Sequence, residues 1–281
     1  MFYDLHVHTS ASDGILTPAE VLHQAEQIGL PGIAITDHDT VEGLSAAWAC
    51  MESKHLNLEL ISGIELNTEV EAGEVHLLGY YIDDQCPQLL ENLQEIKAAR
   101  FMRARRMVSR LREMGYLITF EQVRNLAQND LIARPHVAKA LMEKGYVFSI
   151  REAFNKFIGR GCPAYVPRYR FTPRKAIELI QAAGGITVLA HPGLVRNTRL
   201  VEEILDMGVQ GVEVFYPEHS IQETDYFLDM AARRGLLVTG GSDFHGGGSD
   251  NMRGRLGAAG LSPEYMAKIR AYRRENSLKK Q

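Results

Sequence analysis

Residues 32–36 read Gly-Ile-Ala-Ile-Thr, a stretch with almost nothing polar to offer solvent. An apolar run this short and continuous is the pattern of a strand covered on both faces, which places it inside a parallel sheet flanked by helices. It closes on Asp37-His38-Asp39, so ionisable groups stand at the strand's carboxyl end. The same device recurs. Residues 58–64 run into Glu65, with Asn67 and Thr68 beyond; residues 186–190 run into His191-Pro192-Gly193; residues 236–239 run into Gly240-Gly241-Ser242-Asp243-Phe244-His245-Gly246. A further strand is expected over residues 211–215, and residues 75–80 form a less regular one, in which His76 has opposite parity to Val75 and Leu77.

The first strand carries the densest signal. In Asp4-Leu5-His6-Val7-His8, followed by Ser12-Asp13-Gly14, alternation puts His6 and His8 on one face and Leu5 and Val7 on the other. Paired neutral imidazoles are natural ligands for a divalent metal, where a core strand would carry Val, Ile or Leu. Helices alternate with these strands. Thr17-Pro18-Ala19-Glu20 supplies an N-cap, a first-turn proline and a reciprocal Glu; a second helix is expected around 44–53, and others open at Thr172-Pro173 and Ser262-Pro263. About seven strands in this rhythm predict a parallel α/β barrel, with functional groups at the carboxyl ends of the strands.

From about residue 89 to 160 the strand pattern gives way to a charged helical one, with capping signals at 119–122 and 149–152. The expected organisation is a barrel domain over 1–98 and 166–281, with an inserted helical domain at 99–165. The 281 residues, 45% of them hydrophobic, suffice for a large core. Three cysteines without a CxxC pair fit a reducing compartment, so a cytoplasmic protein is expected. No signal-peptide pattern or membrane-spanning apolar run is present, and no obligatory protein partner is implied.

Nine residues gather at the expected strand ends: His6, His8, Asp13, His38, Glu65, His76, His191, Asp243 and His245. Any one of these histidines could be a hydrogen-bonded core residue. Six of the chain's ten histidines at strand ends instead point to a metal site. Of the others, His23 reads as a helix-surface residue, His55 as a loop residue and His219 as a loop or cap neighbour. Nine ligands exceed what one tetrahedral ion takes and suit two or three ions with a bridging carboxylate, three fitting best. Three dications carry about +6 and three carboxylates leave roughly +3, a site for phosphate despite a formal net charge of −4. A bridging metal-bound hydroxide can then attack phosphorus in line, with no protein nucleophile. No GxxxxGK[ST] loop is present, which speaks against a nucleoside triphosphate.

These segments, at 4–8, 36–39, 63–65, 75–79, 189–193 and 241–245, resemble the PHP (polymerase and histidinol phosphatase) family. The resemblance spans about three quarters of the chain. It implies a distorted (β/α)7 barrel with a trinuclear site of manganese, iron or zinc. One ion would take His6, His8, Glu65 and Asp243; a second Glu65, His76 and His191; the third Asp13, His38 and His245. Ala133-Arg134-Pro135-His136 resembles one branch of the family, the nucleoside 3′,5′-bisphosphate phosphatases that also trim short RNA from the 5′ end.

In that segment Pro135 fits a first helical position, free N–H groups at a helix start attract anions, and Arg134 adds a bidentate fork. Arg134 and His136 are therefore expected to bind substrate, against the alternative that Arg134 pairs with a carboxylate of the insert. The basic run Lys97, Arg100, Arg103, Arg105, Arg106, Arg110 and Arg112 is better read as a solvated helix face than as a nucleic-acid track. The expected activity is hydrolysis of the 3′-phosphate of a small nucleotide, with stepwise trimming of short single-stranded RNA as a related activity. Histidinol-phosphate hydrolysis is the nearest rival, against which the insert speaks. A metal-dependent amidohydrolase would not need a third ion or an Arg. A catalytically silent PHP module of a polymerase would carry eroded ligands on a longer chain.

Overall fold

The computed structural model describes residues 2–71, 73–127, 132–167, 169, 171–246 and 255–278. Its seven named strands form one sheet in chain order: β1 (Asp4–Val7), β2 (Gly32–Ile35), β3 (Glu59–Val70), β4 (Gly73–Tyr80), β5 (Ile186–Leu189), β6 (Gly211–Phe215) and β7 (Leu237–Gly240). Just beyond β7, Phe244 pairs in parallel with Val7, and His8 N donates to Phe244 O at 2.8 Å. This pairing brings the last segment back to the first strand, giving a distorted (β/α)7 barrel.

The helices follow as α1 (Pro18–Gln27), α2 (Glu42–Lys54), α3 (Pro87–Glu113), α4 (Phe120–Asn125), α5 (Arg134–Glu143) and α6 (Ile150–Ala153), the last continuing as a π-helical turn over Phe154–Ile158. Then come α7 (Pro173–Ala182), α8 (Pro192–Val195), α9 (Thr198–Leu205), α10 (Ile221–Arg234) and α11 (Pro263–Leu278). Local chemistry accounts for their starts. Thr17 accepts from Glu20 N while the Glu20 carboxylate accepts from Thr17 N, closing a capping box with Pro18 in the first turn. Thr119 with Gln122 and Ser220 with Glu223 repeat it.

The sheet is not parallel throughout. β4 runs antiparallel to both β3 and β5, whereas the other pairings are parallel. The reason is the connection: only Glu71 and Ala72 separate β3 from β4, enough for a hairpin and far too short for the crossover that parallel strands require. Glu65 is also not at a strand end. β3 pairs with β2 only as far as Ser62 and continues to Val70 as one arm of the hairpin, so Glu65 lies inside β3 and bridges to His38 just past β2.

By internal packing the chain divides into two compact units, Met1–Leu90 with Phe171–Gln281, and Glu91–Arg170. The expected insert, 99–165, falls within the second. The first unit buries Leu5, Val7, Ile33, Ile35, Leu66 and Val188, among others; the second has its own core, including Leu111, Ile118, Val123, Val137, Leu141 and Ile158. Among the described residues no helix is long and apolar enough to cross a membrane.

Candidate metal centre

The backbone delivers each candidate ligand for a local reason. His6 lies within β1 and His8 one residue past it, both with no exposed surface, while Leu5 and Val7 are buried on the opposite parity. Gly241 passes so close to His6 that an added Cβ would lie 2.3 Å from its backbone nitrogen. Only glycine allows the segment carrying Asp243 and His245 to approach β1 this way. Asp13 sits in a loop tied down by Asp37, which accepts from Thr9 N and Thr9 Oγ1, both at 2.7 Å, and from Ser12 Oγ at 2.6 Å. His191 and Asp243 both adopt positive φ, 27° and 52°, a strained state that turns each chain direction at a strand's end.

Three overlapping groups result, in each of which the candidate donor atoms lie within 4.8 Å of one another: His6, His8, Glu65 and Asp243; His8, Asp13, His38 and His245; His38, Glu65 and His76. Glu65 is the common member of two. Its Oε2 faces His6 Nε2 at 3.3 Å, His8 Nε2 at 3.2 Å and His38 Nδ1 at 2.8 Å, and its Oε1 faces His76 Nδ1 at 2.9 Å and His191 Nε2 at 3.1 Å. Asp243 Oδ1 lies 3.1 Å from His8 Nε2, and Asp13 Oδ1 lies 3.3 Å from His245 Nε2. All nine sequence-predicted residues therefore meet around one mouth. The grouping differs in detail from the allocation implied by resemblance: His8 also joins the set around Asp13, and His38 joins the set around Glu65 and His76.

The electrostatics describe a cluster suited to cations. Burial raises the cost of ionising Glu65 and Asp243, yet His38, His6 and His76 around Glu65, and His6, His8 and His245 around Asp243, hold both carboxyls well below the usual carboxylate range. Asp13 is lowered too, by His38, His245 and His8 against burial. Burial opposes protonation of His6, His8 and His38, but the facing carboxylates raise all three, His8 to about 10; for His76 burial prevails and the ring is lowered. His6 Nε2, both His8 ring nitrogens, Glu65 Oε2 and His191 Nδ1 are buried and make no hydrogen bond despite their close approaches. Tyr80 Oη, Thr187 Oγ1 and Thr239 Oγ1 are also buried without a partner, but only these five atoms belong to candidate ligands. Imidazole nitrogen and carboxylate oxygen suit zinc, iron or manganese, and no cysteine belongs to the groups. The residues fit divalent ions.

Several residues the sequence reading passed over brace this cluster. Asp4 is fully buried, accepts from Ser242 N, Ser242 Oγ and Gly257 N at 2.6–2.8 Å, and is pushed by burial to a pKa of about 6 despite those bonds. Asp39 accepts from Asn67 N at 2.9 Å and Asn67 Nδ2 at 3.1 Å, and that amide also meets His38 Nδ1 at 3.1 Å. Tyr216 Oη donates to Asp243 Oδ2 at 2.9 Å. His219 donates from Nδ1 to Val214 O and accepts at Nε2 from Gly193 N, fixing the turn after His191. The legible signal was acidic residues beside each ligand in Asp4-Leu5-His6 and Asp37-His38-Asp39; nothing in residues 211–215 marked Glu213, whose Oε1 meets His6 Nδ1 at 3.0 Å.

In the second unit, Arg134 opens α5 and lies over the Phe154 ring, 5.1 Å from its centroid. His136 is buried, and its Nδ1 accepts from Ala133 N at 3.0 Å, so this ring caps the helix it belongs to. Of the basic run on α3, Arg103 donates to Val166 O at 2.8 Å and Arg110 donates to Tyr165 O.

The sequence model of the PHP domain matches residues 4–158, more than half of the chain and a span including six of the nine clustered residues. The chain belongs to the PHP domain family. It is similar to the 5′-3′ exoribonuclease Rnm of Escherichia coli, at 35% identity over 87% of this chain and 85% of that one. It is 36% identical to a 3′,5′-nucleoside bisphosphate phosphatase of Chromobacterium violaceum, over 87% of both chains. A phosphoribosyl 1,2-cyclic phosphate 1,2-diphosphodiesterase of Eggerthella lenta is 32% identical over 88% of this chain and 95% of that one. Among solved structures, a metal-dependent phosphoesterase from Bifidobacterium adolescentis superposes with a TM-score of 0.83 at 32% identity, covering 95% of this chain and 94% of the other. A Chromobacterium violaceum structure with bound sulfate, described as an amidohydrolase, superposes at 0.80 with 33% identity, covering 95% and 97%. This PHP protein is a metal-dependent hydrolase of phosphoester bonds.

Proposed function

We propose that this PHP phosphoesterase removes the 3′-phosphate of nucleoside 3′,5′-bisphosphates, leaving a 5′-nucleotide, and trims short single-stranded RNA from its 5′ end by the same chemistry. The observation that carries the reading is the division of Glu65, one oxygen turned to His76 and His191 and the other to His6, His8 and His38. A carboxylate so placed suits a bridge between ions, and a polynuclear cationic centre suits a phosphate dianion. The names of the Escherichia coli and Chromobacterium violaceum relatives support the choice of nucleotide.

Divalent ions, when bound, supply Lewis-acid charge toward the phosphoryl oxygens and lower the pKa of water. His6, His8, Glu65 and Asp243 would hold one; Glu65 with His76, His191 and the neighbouring His38 a second; Asp13, His38 and His245 a third. Asp4, Asp37 and Asp39 keep the ligand-bearing loops rigid by saturating their carboxylates with backbone N–H, hydroxyl and amide groups. Arg134 is assigned to the substrate phosphate that is not cleaved, since a cation cluster already matches the charge of the reacting one.

Phosphate release from nucleoside bisphosphates and histidinol phosphate, and mononucleotide release from 5′-phosphorylated oligoribonucleotides, measured on protein of known metal content, test this. Chromatography should show a 5′-nucleotide, and water labelled with oxygen-18 should place one label in the released phosphate. Label in the nucleoside, or faster turnover of histidinol phosphate, refutes the reading. The structural neighbour described as an amidohydrolase favours one rival, amide hydrolysis, which a panel of amides in the same screen decides.

A further inference from the structure

β6 contributes none of the nine clustered residues, yet it carries a carboxylate with no exposed surface, Glu213, whose two oxygens are both committed. Oε1 meets His6 Nδ1 at 3.0 Å, and Oε2 accepts from His191 N at 2.7 Å. These contacts reach ligands carried by two other segments, one within β1 and one just past β5. A carboxylate can only accept, so the His6 ring must keep its proton on Nδ1. The neutral ring then turns a bare lone pair from Nε2 toward Glu65 Oε2 at 3.3 Å and Asp243 Oδ1 at 3.5 Å. That Nε2 is buried and makes no hydrogen bond. Three electron-rich atoms facing one another repel unless a positive charge lies among them, the ring's own second proton or a divalent ion in its place.

The second contact acts on the backbone. His191 sits at φ 27° and ψ 59°, outside the comfortable regions for a residue with a side chain. Its amide donates to Glu213 Oε2, and His219 Nε2 accepts from Gly193 N two residues on, so both ends of the turn are held from the β6 side. The held turn aims His191 Nε2 at Glu65 Oε1, 3.1 Å away.

We infer that Glu213 is a positioning residue of the metal centre: its carboxylate sets the His6 tautomer, so that this ring presents an unprotonated Nε2, and fixes the His191 turn, so that its ring is aimed at the divalent ions shared with Glu65. The inference rests on the metal-dependent reading of the site and not on the choice of substrate. A charge network that merely stabilised the fold would not need one carboxylate to govern ligands from two separate segments.

Glu213→Gln tests this sharply. An amide keeps the size but has one acceptor oxygen for two donors, so either His6 must reverse its tautomer or the His191 turn loses its anchor. Zinc affinity should be measured by competition with a metallochromic chelator, on wild type and variant, alongside circular dichroism and size exclusion. The variant should stay folded and bind zinc about 10- to 100-fold more weakly. In zinc-loaded wild type, long-range 1H–15N spectra should show His6 protonated at Nδ1 and unprotonated at Nε2, a readout that does not depend on any variant folding. A folded Glu213→Gln protein with wild-type zinc affinity overturns the inference, as does a His6 ring unprotonated at Nδ1. If wild type itself takes no divalent ion, the metal reading falls and this inference with it.

Discussion

The histidines of the barrel mouth and the polar residues of the second unit are the same kinds of side chain put to different uses. In the mouth, His6, His8 and His191 each hold a buried ring nitrogen without a hydrogen bond, surrounded by carboxylates. In the second unit, the His136 ring caps its own helix, and Arg103 and Arg110 each bind a backbone carbonyl. Burial is common to His8 and His136 and cannot tell them apart. What separates them is the company of the ring: His8 stands among other metal-ligating groups with its nitrogens open, whereas His136 Nδ1 is already spent on Ala133 N.

The largest effect should come from breaking the shared element of the mouth. Glu65→Gln keeps the shape but removes the charge that two donor groups use, so it should lower metal content at more than one position and reduce phosphate release by roughly 10³-fold or more. Asp13→Ala, on a loop held independently by Asp37, should remove chiefly one ion with the fold intact. Elemental analysis beside turnover distinguishes them. Equal metal loss in both variants would mean that the groups are not the separable units the distances suggest.

The second unit offers the next largest. Arg134→Ala forfeits a charge-assisted contact, and kcat/KM for a bisphosphate should fall roughly tenfold to a hundredfold, with a monophosphate much less affected. Metal content should not change. Equal loss on both substrates, or unchanged kinetics with a lower melting temperature, would make Arg134 a structural partner like Arg103 and erase the one functional role assigned to that unit.

A smaller and gradual effect separates the regions by pH. In metal-free protein His6, His8 and His38 titrate above the ordinary imidazole value, so their ion pairs are fully stabilising below about pH 6.5 and are lost as pH rises toward the folded value, about 10 for His8. Asp13, Glu65 and Asp243 are lowered, so their contribution is present above about pH 4 and lost only in acid. Asp4 works the other way, costing stability as pH rises toward 6. Metal-free protein should therefore melt progressively lower from pH 6.5 to 9. Metal binding requires neutral rings and releases their protons, so the stabilisation that zinc or manganese adds should grow over the same range. A metal-free melting temperature flat across that window would show that the cluster is not held by protonated imidazoles.

Much of this was legible in the chain because ligand chemistry is concentrated in few residue types. His-x-His on a strand with Asp13 in the loop beyond it, the parity of His76, and ionisable residues after four apolar runs announced all nine members of the cluster, and capping pairs such as Thr17 with Glu20 placed helix starts within a residue. Legibility failed where the cause lay in pairing and not in composition. The direction of β4 depended on a two-residue connection after Val70, and the extension of β3 past Glu65 on a partner strand that a local pattern cannot show. Glu213 was invisible for a related reason. A single acid in Gly211–Phe215 gains meaning only when two other segments bring His6 and the His191 amide to its oxygens.

The smallest expected effect cuts closest to the comparison. His136 was expected to contact substrate, yet its Nδ1 already accepts from Ala133 N. Replacing a side chain that caps a helix start costs about 1 kcal/mol, with a little more where the ring is also buried, so His136→Ala should lower the melting temperature by a few degrees. His136→Asn offers an acceptor from a shorter side chain, closer to what helix starts usually use, and should recover part of that loss. If capping is the whole of its role, kcat/KM for the bisphosphate will stay within about twofold of wild type in both variants, measured well below the melting temperature. If the ring's Nε2 also meets a substrate phosphate, the Asn variant will regain stability without regaining kcat/KM, and the deficit will disappear on a monophosphate. That split would move His136 from the second region's pattern into the first's.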